Sequence, residues 1–322
     1  MRKRTFKWLT IIGLVTLLLS GCSLVQQTPE QTANDSLVDD ILAEEVMGDL
    51  VNMSDHGEDG DAAALSAPIT LYFEDANGFV APVTMNIPMT PDIAKRSLED
   101  YMVESAVSSD QIPLGFTPLL PAGTSVIGMD IVEAEKLAIV DFSEEFLEYE
   151  ASKERKIVEA VTWMLTGFPT IDKVKLRVDG EPLHAMPATG MPLQEPLSRA
   201  MGINLEPFNG VNLASAEPVT LYFKSESSES FDYLVPVTRM IEKSADKAQA
   251  VMQQLVAGPV EEGLYAVLAP EVKVLDLQPS EDIITVDFNE YVLDPEYRLM
   301  EDSMQSVILS LTENGLAEQV QI

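Results

Sequence analysis

Two histidines and one cysteine limit the chemistry that these 322 residues can perform. A serine, threonine or cysteine nucleophile at neutral pH works with a neighbouring base, most often histidine. His56 and His184 both fall outside any strand or helix pattern, and Cys22 stands just behind the N-terminal apolar run. There is no G-x-S-x-G, P-loop, G-x-G-x-x-G or histidine pair at metal-ligand spacing. Esterase, nucleotide and zinc chemistry are therefore all disfavoured. Paired carboxylates remain. Glycan hydrolysis uses an acid and a base about 5 to 9 Å apart, and the sequence offers Asp141 with Glu144 or Glu145, and Asp287 with Glu290. Both aspartates end a strand pattern and are followed by Ser143 or Asn289, which cap turns by bonding backbone N–H groups. Capping explains the repeated aspartate without a reaction and outweighs catalysis. The acid-dense "DHGEDGD" (55–61) lacks a closing Glu at EF-hand spacing, so it reads as loose cation buffering, and no metal site is expected.

Cys22 has a different use. Arg2, Lys3, Arg4 and Lys7 precede an apolar run from Trp8 to Leu19, shorter than the roughly 20 residues that span a bilayer and suited to a secretory signal. The run ends in Leu19, Ser20, Gly21 and Cys22, which resembles a bacterial lipobox. That resemblance implies S-diacylglycerol and N-acyl groups on Cys22 and an anchor in the outer leaflet of the cell membrane, with no other cofactor. Two acyl chains at one residue are what stable attachment requires. The competing reading is an ordinary cleaved signal with an incidental cysteine, and an unpaired cysteine suits a secreted chain poorly. No intramolecular disulfide can form, so each fold rests on its core. The balance of 20 basic to 53 acidic residues gives a formal net charge of −33. That excludes nucleic acid as a partner, and a bare anionic membrane surface would repel the chain.

Residues 23–67 hold 11 acidic residues and no Lys or Arg, a composition that predicts a disordered, self-repelling tether. Within it, Val38, Ile41, Leu42, Val46 and Leu50 fall at near-helical spacing, enough for a turn or two of transient helix. What must position any chemistry begins at Pro68. "PITLYFEDANG" recurs as "PVTLYFKSESS" from Pro218, about 150 residues later. An internal repeat decides the reading of the whole chain. Strands are expected at 69–73 and 79–87 around an Asp75–Gly78 turn, then a helix carrying Ile93, Leu98, Tyr101 and Met102 on one face. "TSVIGMDIV" and "LAIVDFS" read as strands, "ERKIVEAVTWMLTGF" as a helix, and 172–178 as a closing strand. The second copy follows element by element: Pro236 matches Pro82, Asp287 matches Asp141, and Leu311-Thr312 matches Leu165-Thr166. Two ββαββαβ domains result, 68–180 and 218–322, joined by a Pro-rich linker at 181–217. Linker residues Leu193, Leu197, Met201, Ile203, Leu205 and Phe208 predict packing against a domain. The second copy stops at Ile322 without the "VDG" that follows in the first, which reads as a shortened final strand. Alternation along the strands predicts an α+β fold, each domain a sheet with two helices on one face. Tyr72 and Tyr222 become interface candidates if the second face of the sheet is uncovered, against the alternative of cross-strand packing.

The opening P-[IV]-T-L-Y-F, the mid-domain V-D-F-[SN]-E, a helix ending in L-T and a closing V-x-[LI], in that order and twice, resemble the GerMN-domain family. The resemblance covers about residues 68–322. It implies a fold like the ring-building motif and a non-enzymatic, extracytoplasmic lipoprotein that scaffolds an envelope complex in sporulation or germination, between mother cell and forespore. Its partners would be the membrane through the lipid, and proteins of that complex, with a homo-oligomer left open. GerMN domains also occur in accessory lipoproteins of sensor kinases. A wall-glycan binder or hydrolase acting through Asp141 and Asp287 is the alternative from another class.

Overall fold

A computed structural model describes residues 65–322 apart from 109–110, 208–209, 211 and 228–230. Leu19, Ser20, Gly21 and Cys22, the acidic tether up to residue 64 with its helical segment, His56 and Phe208 lie outside the described residues. The last tether residues, Ser66 and Ala67, belong to the first strand. In the first repeat β1 (Ser66–Glu74) and β2 (Val80–Pro88) form an antiparallel hairpin. Asp75 closes its turn by accepting the N–H groups of Asn77 and Phe79 at 2.9 and 2.8 Å, and Gly78 supplies a φ of 85°. Next comes α1 (Ile93–Arg96), continued by a π-helical stretch Ser97–Met102 that buries Leu98 and Met102. Then follow β3 (Val126–Val132), β4 (Leu137–Phe142), α2 (Glu154–Leu165), β5 (Lys173–Val178) and the short β6 (Glu181–Pro182). The second repeat runs β7 (Ala216–Glu226), β8 (Asp232–Glu242), α3 (Lys247–Ala257), β9 (Val274–Ser280), β10 (Ile283–Phe288), α4 (Glu301–Glu313) and β11 (Gln319–Gln321).

The α+β class and the element order are those expected, but each repeat has two sheets where the alternation predicted one. The hairpin stands apart from a sheet ordered β3-β4-β5-β6 in the first repeat and β9-β10-β11 in the second. Alternation reports that one face of a strand is buried and is silent on which strand lies beside it. Here α2 lies against β1, β2 and β5, between the two sheets. β4 runs parallel to β5, and β10 parallel to β11, which reaches only Ile283–Thr285.

Prolines set the phase of both hairpins. Pro68, Pro82, Pro88, Pro218 and Pro236 all fall on the even positions. Even positions turn their N–H groups away from the partner strand, as the bonds from Glu74 N to Thr117 O and from Lys224 N to Tyr265 O show. Only there does a proline remove no ladder bond.

Matching residues fill matching places: Leu71 and Leu221, Phe73 and Phe223, Val140 and Val286, Val161 and Val307, Leu165 and Leu311 are all buried. They belong to one continuous apolar core that runs through both repeats. The linker is part of it, with Met186, Leu193, Leu197 and Ile203 buried and Leu205 exposed. Buried Glu154 on α2 holds the linker by accepting the N–H of Ala188 at 2.8 Å and the N–H and hydroxyl of Thr189. Burial raises the pKa of that carboxyl, but the bonds from Thr189, Tyr149 and Ala188 outweigh it and hold the pKa below 4.5. At the other end, Glu206 forms a buried two-point pair with Arg239 of β8.

Candidate functional site

Asn204 joins the repeats. Its side chain donates to Val80 O and Pro236 O, each at 2.8 Å, and accepts Val80 N at 2.8 Å. One amide thus bonds the outward edges of β2 and β8, whose hairpins lie side by side. Pro236 has no N–H to offer, so three bonds complete the exchange. The residue needs the left-handed region, φ 44°, which asparagine tolerates better than most side chains.

Beyond this joint lies a cleft of about 410 Å³, a concave candidate for a binding site. Tyr72 and Tyr222 both line it, with Trp163, Leu309, Arg199 and Glu313. Like surfaces meet: Tyr72 of β1 corresponds to Tyr222 of β7, and Trp163 of α2 to Leu309 of α4. The two tyrosines are 4% and 6% exposed in a cleft lined by both repeats, so neither lies on an uncovered outer face. Tyr72 meets the Trp163 ring edge-on at 6.1 Å.

Arg199 organises the cleft. Its guanidinium, on the linker, lies 4.6 Å from the Trp163 ring centroid and bonds Trp163 O and Thr166 Oγ1 of the first repeat and, at 2.5 Å, Glu313 of the second. A Cβ at Gly167 would crowd Met164 O at 3.1 Å but would meet Arg199 Nη2 only at an ordinary 3.8 Å. The position matching Gly167 in the second repeat is Glu313, the carboxylate that Arg199 takes. Burial pushes the Glu313 carboxyl above its ordinary range, and Arg199 opposes that. Burial also pushes the Tyr72 phenol up to about 12, and burial together with Glu313 pushes Tyr222 well above 10.0. Both phenols stay protonated at neutral pH. The cleft holds one carboxylate compensated by one guanidinium, two neutral phenols and the hydroxyls of Thr70 and Thr84, an arrangement suited to binding. Reading the sequence singled out the tyrosines but missed Arg199, Glu313 and Asn204, because nothing local marks them.

Asp141 and Asp287 lie elsewhere. Asp141 Oδ1 accepts the N–H of Gly180 at 2.9 Å, so it holds the turn after β5. Asp287 is exposed on β10. Ser143 and Asn289 do not cap the turns that follow them, contrary to expectation; their side chains instead accept the N–H groups of Ser125 and Lys273, just before β3 and β9. His184 pairs with Glu195 at 2.7 Å on the linker. Among the described residues no group of three or more His, Cys, Asp and Glu is placed to hold a metal ion, and no helix is long and apolar enough to cross a membrane.

Comparison with known proteins places this architecture. The Germane family model, described as sporulation and spore germination, matches residues 70–184 and 220–322. The chain is 35% identical to the spore germination protein GerM of Bacillus subtilis (strain 168), over 95% of this chain and 87% of that one. It resembles the solved tandem GerMN domains of the sporulation protein GerM from Bacillus subtilis with a TM-score of 0.73 and 36% identity, covering 80% of this chain and 90% of that one. A structure of the first GerMN domain of that protein is 44% identical over 41% of this chain and 98% of its own, with a TM-score of 0.39. Matched over well over half its length and nearly end to end by a relative, the chain belongs to the Germane family of sporulation and spore germination, as a tandem-GerMN protein.

Proposed function

We propose that this protein is a non-enzymatic lipoprotein, anchored through acyl groups on Cys22 outside the cytoplasmic membrane, that scaffolds assembly of a protein complex in sporulation or germination. The observation that carries the reading is the join: Asn204 and the Arg199–Glu313 pair fuse two GerMN repeats into one body that shares a single core. Such a body suits the presentation of two related surfaces at a fixed spacing. Its cleft pairs its only carboxylate with Arg199, whereas general acid–base work requires proton-exchanging groups with different tasks. The names of the relatives, which speak of sporulation and germination, support the pathway.

The test is photocrosslinking of the full chain in sporulating cells, with mass spectrometry of what is captured, alongside a Cys22→Ala variant. The expected outcome is recovery of the same few envelope proteins in repeated captures, with the variant shifted from the membrane to the soluble fraction. Failure to capture any envelope protein reproducibly, or muropeptide release by the purified chain that is lost in Asp141→Asn, would overturn the reading.

A further inference from the structure

The two repeats treat the outward edge of their first strand differently. In the second repeat, α4 lies along β7 and its polar side chains take the free backbone groups of that edge. Asn314 accepts Thr220 N at 3.1 Å and donates to Thr220 O at 2.7 Å. Ser310 accepts Tyr222 N at 3.0 Å, and Ser306 donates to Tyr222 O at 2.6 Å. Matching Leu165-Thr166 to Leu311-Thr312 puts Phe168, Met164 and Ala160 at these places in the first repeat. The match holds in detail, since Thr166 and Thr312 each bond back to the carbonyl four residues earlier. None of those three side chains can donate a hydrogen bond, and only the Met164 thioether is even a weak acceptor. The N–H and C=O of Thr70, even-numbered and so turned out of the ladder, have no described residue bonded to them.

Thr70, Gly167 and Phe168, the counterparts of Thr220, Glu313 and Asn314, all line the cleft. We propose that the cleft beside Thr70 binds a primary carboxamide, carried on an asparagine or glutamine side chain of a partner polypeptide. Thr70 presents one donor and one acceptor side by side. A carboxamide answers both, as Asn314 does at Thr220; a carboxylate has no donor for the carbonyl, and an ammonium or guanidinium has no acceptor for the N–H. Ile69, Trp163, Met164, Phe168 and Leu309 supply apolar walls for residues flanking the amide. The net charge of −33 favours a partner that is not itself acidic. That the amide belongs to a polypeptide rests on the scaffold reading; the amide chemistry does not.

The test titrates the full, isotope-labelled chain with isobutyramide, isobutyrate, N-acetylglucosamine and the tripeptides Leu-Asn-Leu and Leu-Asp-Leu, following the Thr70 amide signal. Isobutyramide is expected to shift it saturably while isobutyrate does not. Leu-Asn-Leu should bind at least tenfold more tightly than Leu-Asp-Leu. Phe168→Asn, which places the amide of the second repeat in the first, should abolish the isobutyramide response. Should that variant not fold, Thr70→Pro removes the N–H from a position outside the ladder, as Pro68 already does, and should weaken Leu-Asn-Leu at least tenfold by calorimetry. No saturable shift, or binding unchanged in both variants, overturns the site. Tighter binding of N-acetylglucosamine than of Leu-Asn-Leu overturns the polypeptide partner. Either failure leaves the crosslinking result, and so the scaffold reading, to stand or fall separately.

Discussion

Asn204 carries the edge-to-edge joint of the two hairpins on one side chain. Removing it leaves Val80 N, Val80 O and Pro236 O without partners next to a buried strand, and an unmet buried polar group costs about 1–3 kcal/mol. Asn204→Ala is therefore expected to lose about 3 kcal/mol in chemical denaturation, part of it from holding alanine at a left-handed φ. Asn204→Asp keeps the acceptor for Val80 N, loses both donors, and adds a charge near Glu159, whose Oε2 accepts Asn204 N at 3.2 Å. It should be no more stable than the alanine variant. A joint carried by shape alone would leave both within about 0.5 kcal/mol of the parent, as surface changes usually are.

Between elements, the contrast of α2 with α4 makes a prediction of the opposite sign. Tyr72 N and O lie on the outward edge of β1 beneath Ala160 and Met164, where Tyr222 has Ser306 and Ser310. Ala160 is fully buried, and a serine there adds one oxygen in the place from which Ser306 bonds Tyr222 O. Ala160→Ser should raise stability by about 1 kcal/mol, the net value of a hydrogen bond that meets a buried group. A rise of several degrees in Tm checks it, and a fall would mean that α2 does not track the edge as α4 does. Serine in a helix facing a sheet is ordinarily a poor core residue, and the edge of β7 accounts for two of the three that α4 buries, Ser306 and Ser310, while Ser303 donates to Val267 O.

For the whole molecule, the Arg199–Glu313 pair is the one described salt bridge between α4 and the segment preceding the second repeat. Breaking a buried pair costs about 3–5 kcal/mol. Arg199 is about a third exposed, so Arg199→Leu should cost nearer 2 kcal/mol. It should also change the emission of Trp163, under the guanidinium. Burial holds the folded-state pKa of Glu313 above 4.5 even with Arg199 present. A raised carboxyl favours the fold at low pH, and that contribution is lost as pH rises through the folded pKa. The deficit of Arg199→Leu should therefore be largest at neutral pH and shrink towards pH 4.5, and Glu313→Gln added to it should recover part of the loss. A deficit independent of pH would mean that packing, not the stranded charge, is responsible.

The repeat, its element order and most of its core were legible in the sequence, because period-two and helical patterns are local and each occurs twice. Leu71 with Leu221 and Val140 with Val286 needed no coordinates. That Asp141 serves a turn was legible in kind, but the turn it holds follows β5 and not its own strand, because the parallel neighbour β5 brings Gly180 beside it. The split into hairpin and separate sheet was not, since a pattern of burial does not name the neighbouring strand.

The sequence by itself determined two copies of one α+β module, the phase of the hairpins through their prolines, and a chain whose two histidines and one cysteine all fall outside its strand and helix patterns. The tertiary structure alone decided that the copies meet like surface to like surface, because that choice rests on residues far apart in the chain. Asn204, Arg199 and Glu313 are unremarkable polar residues until folding brings Val80, Pro236 and Trp163 beside them. Tyr72 and Tyr222 became cleft walls and not an outer surface for the same reason: the cleft is lined from both repeats, and no local pattern records which residues far along the chain will face a strand.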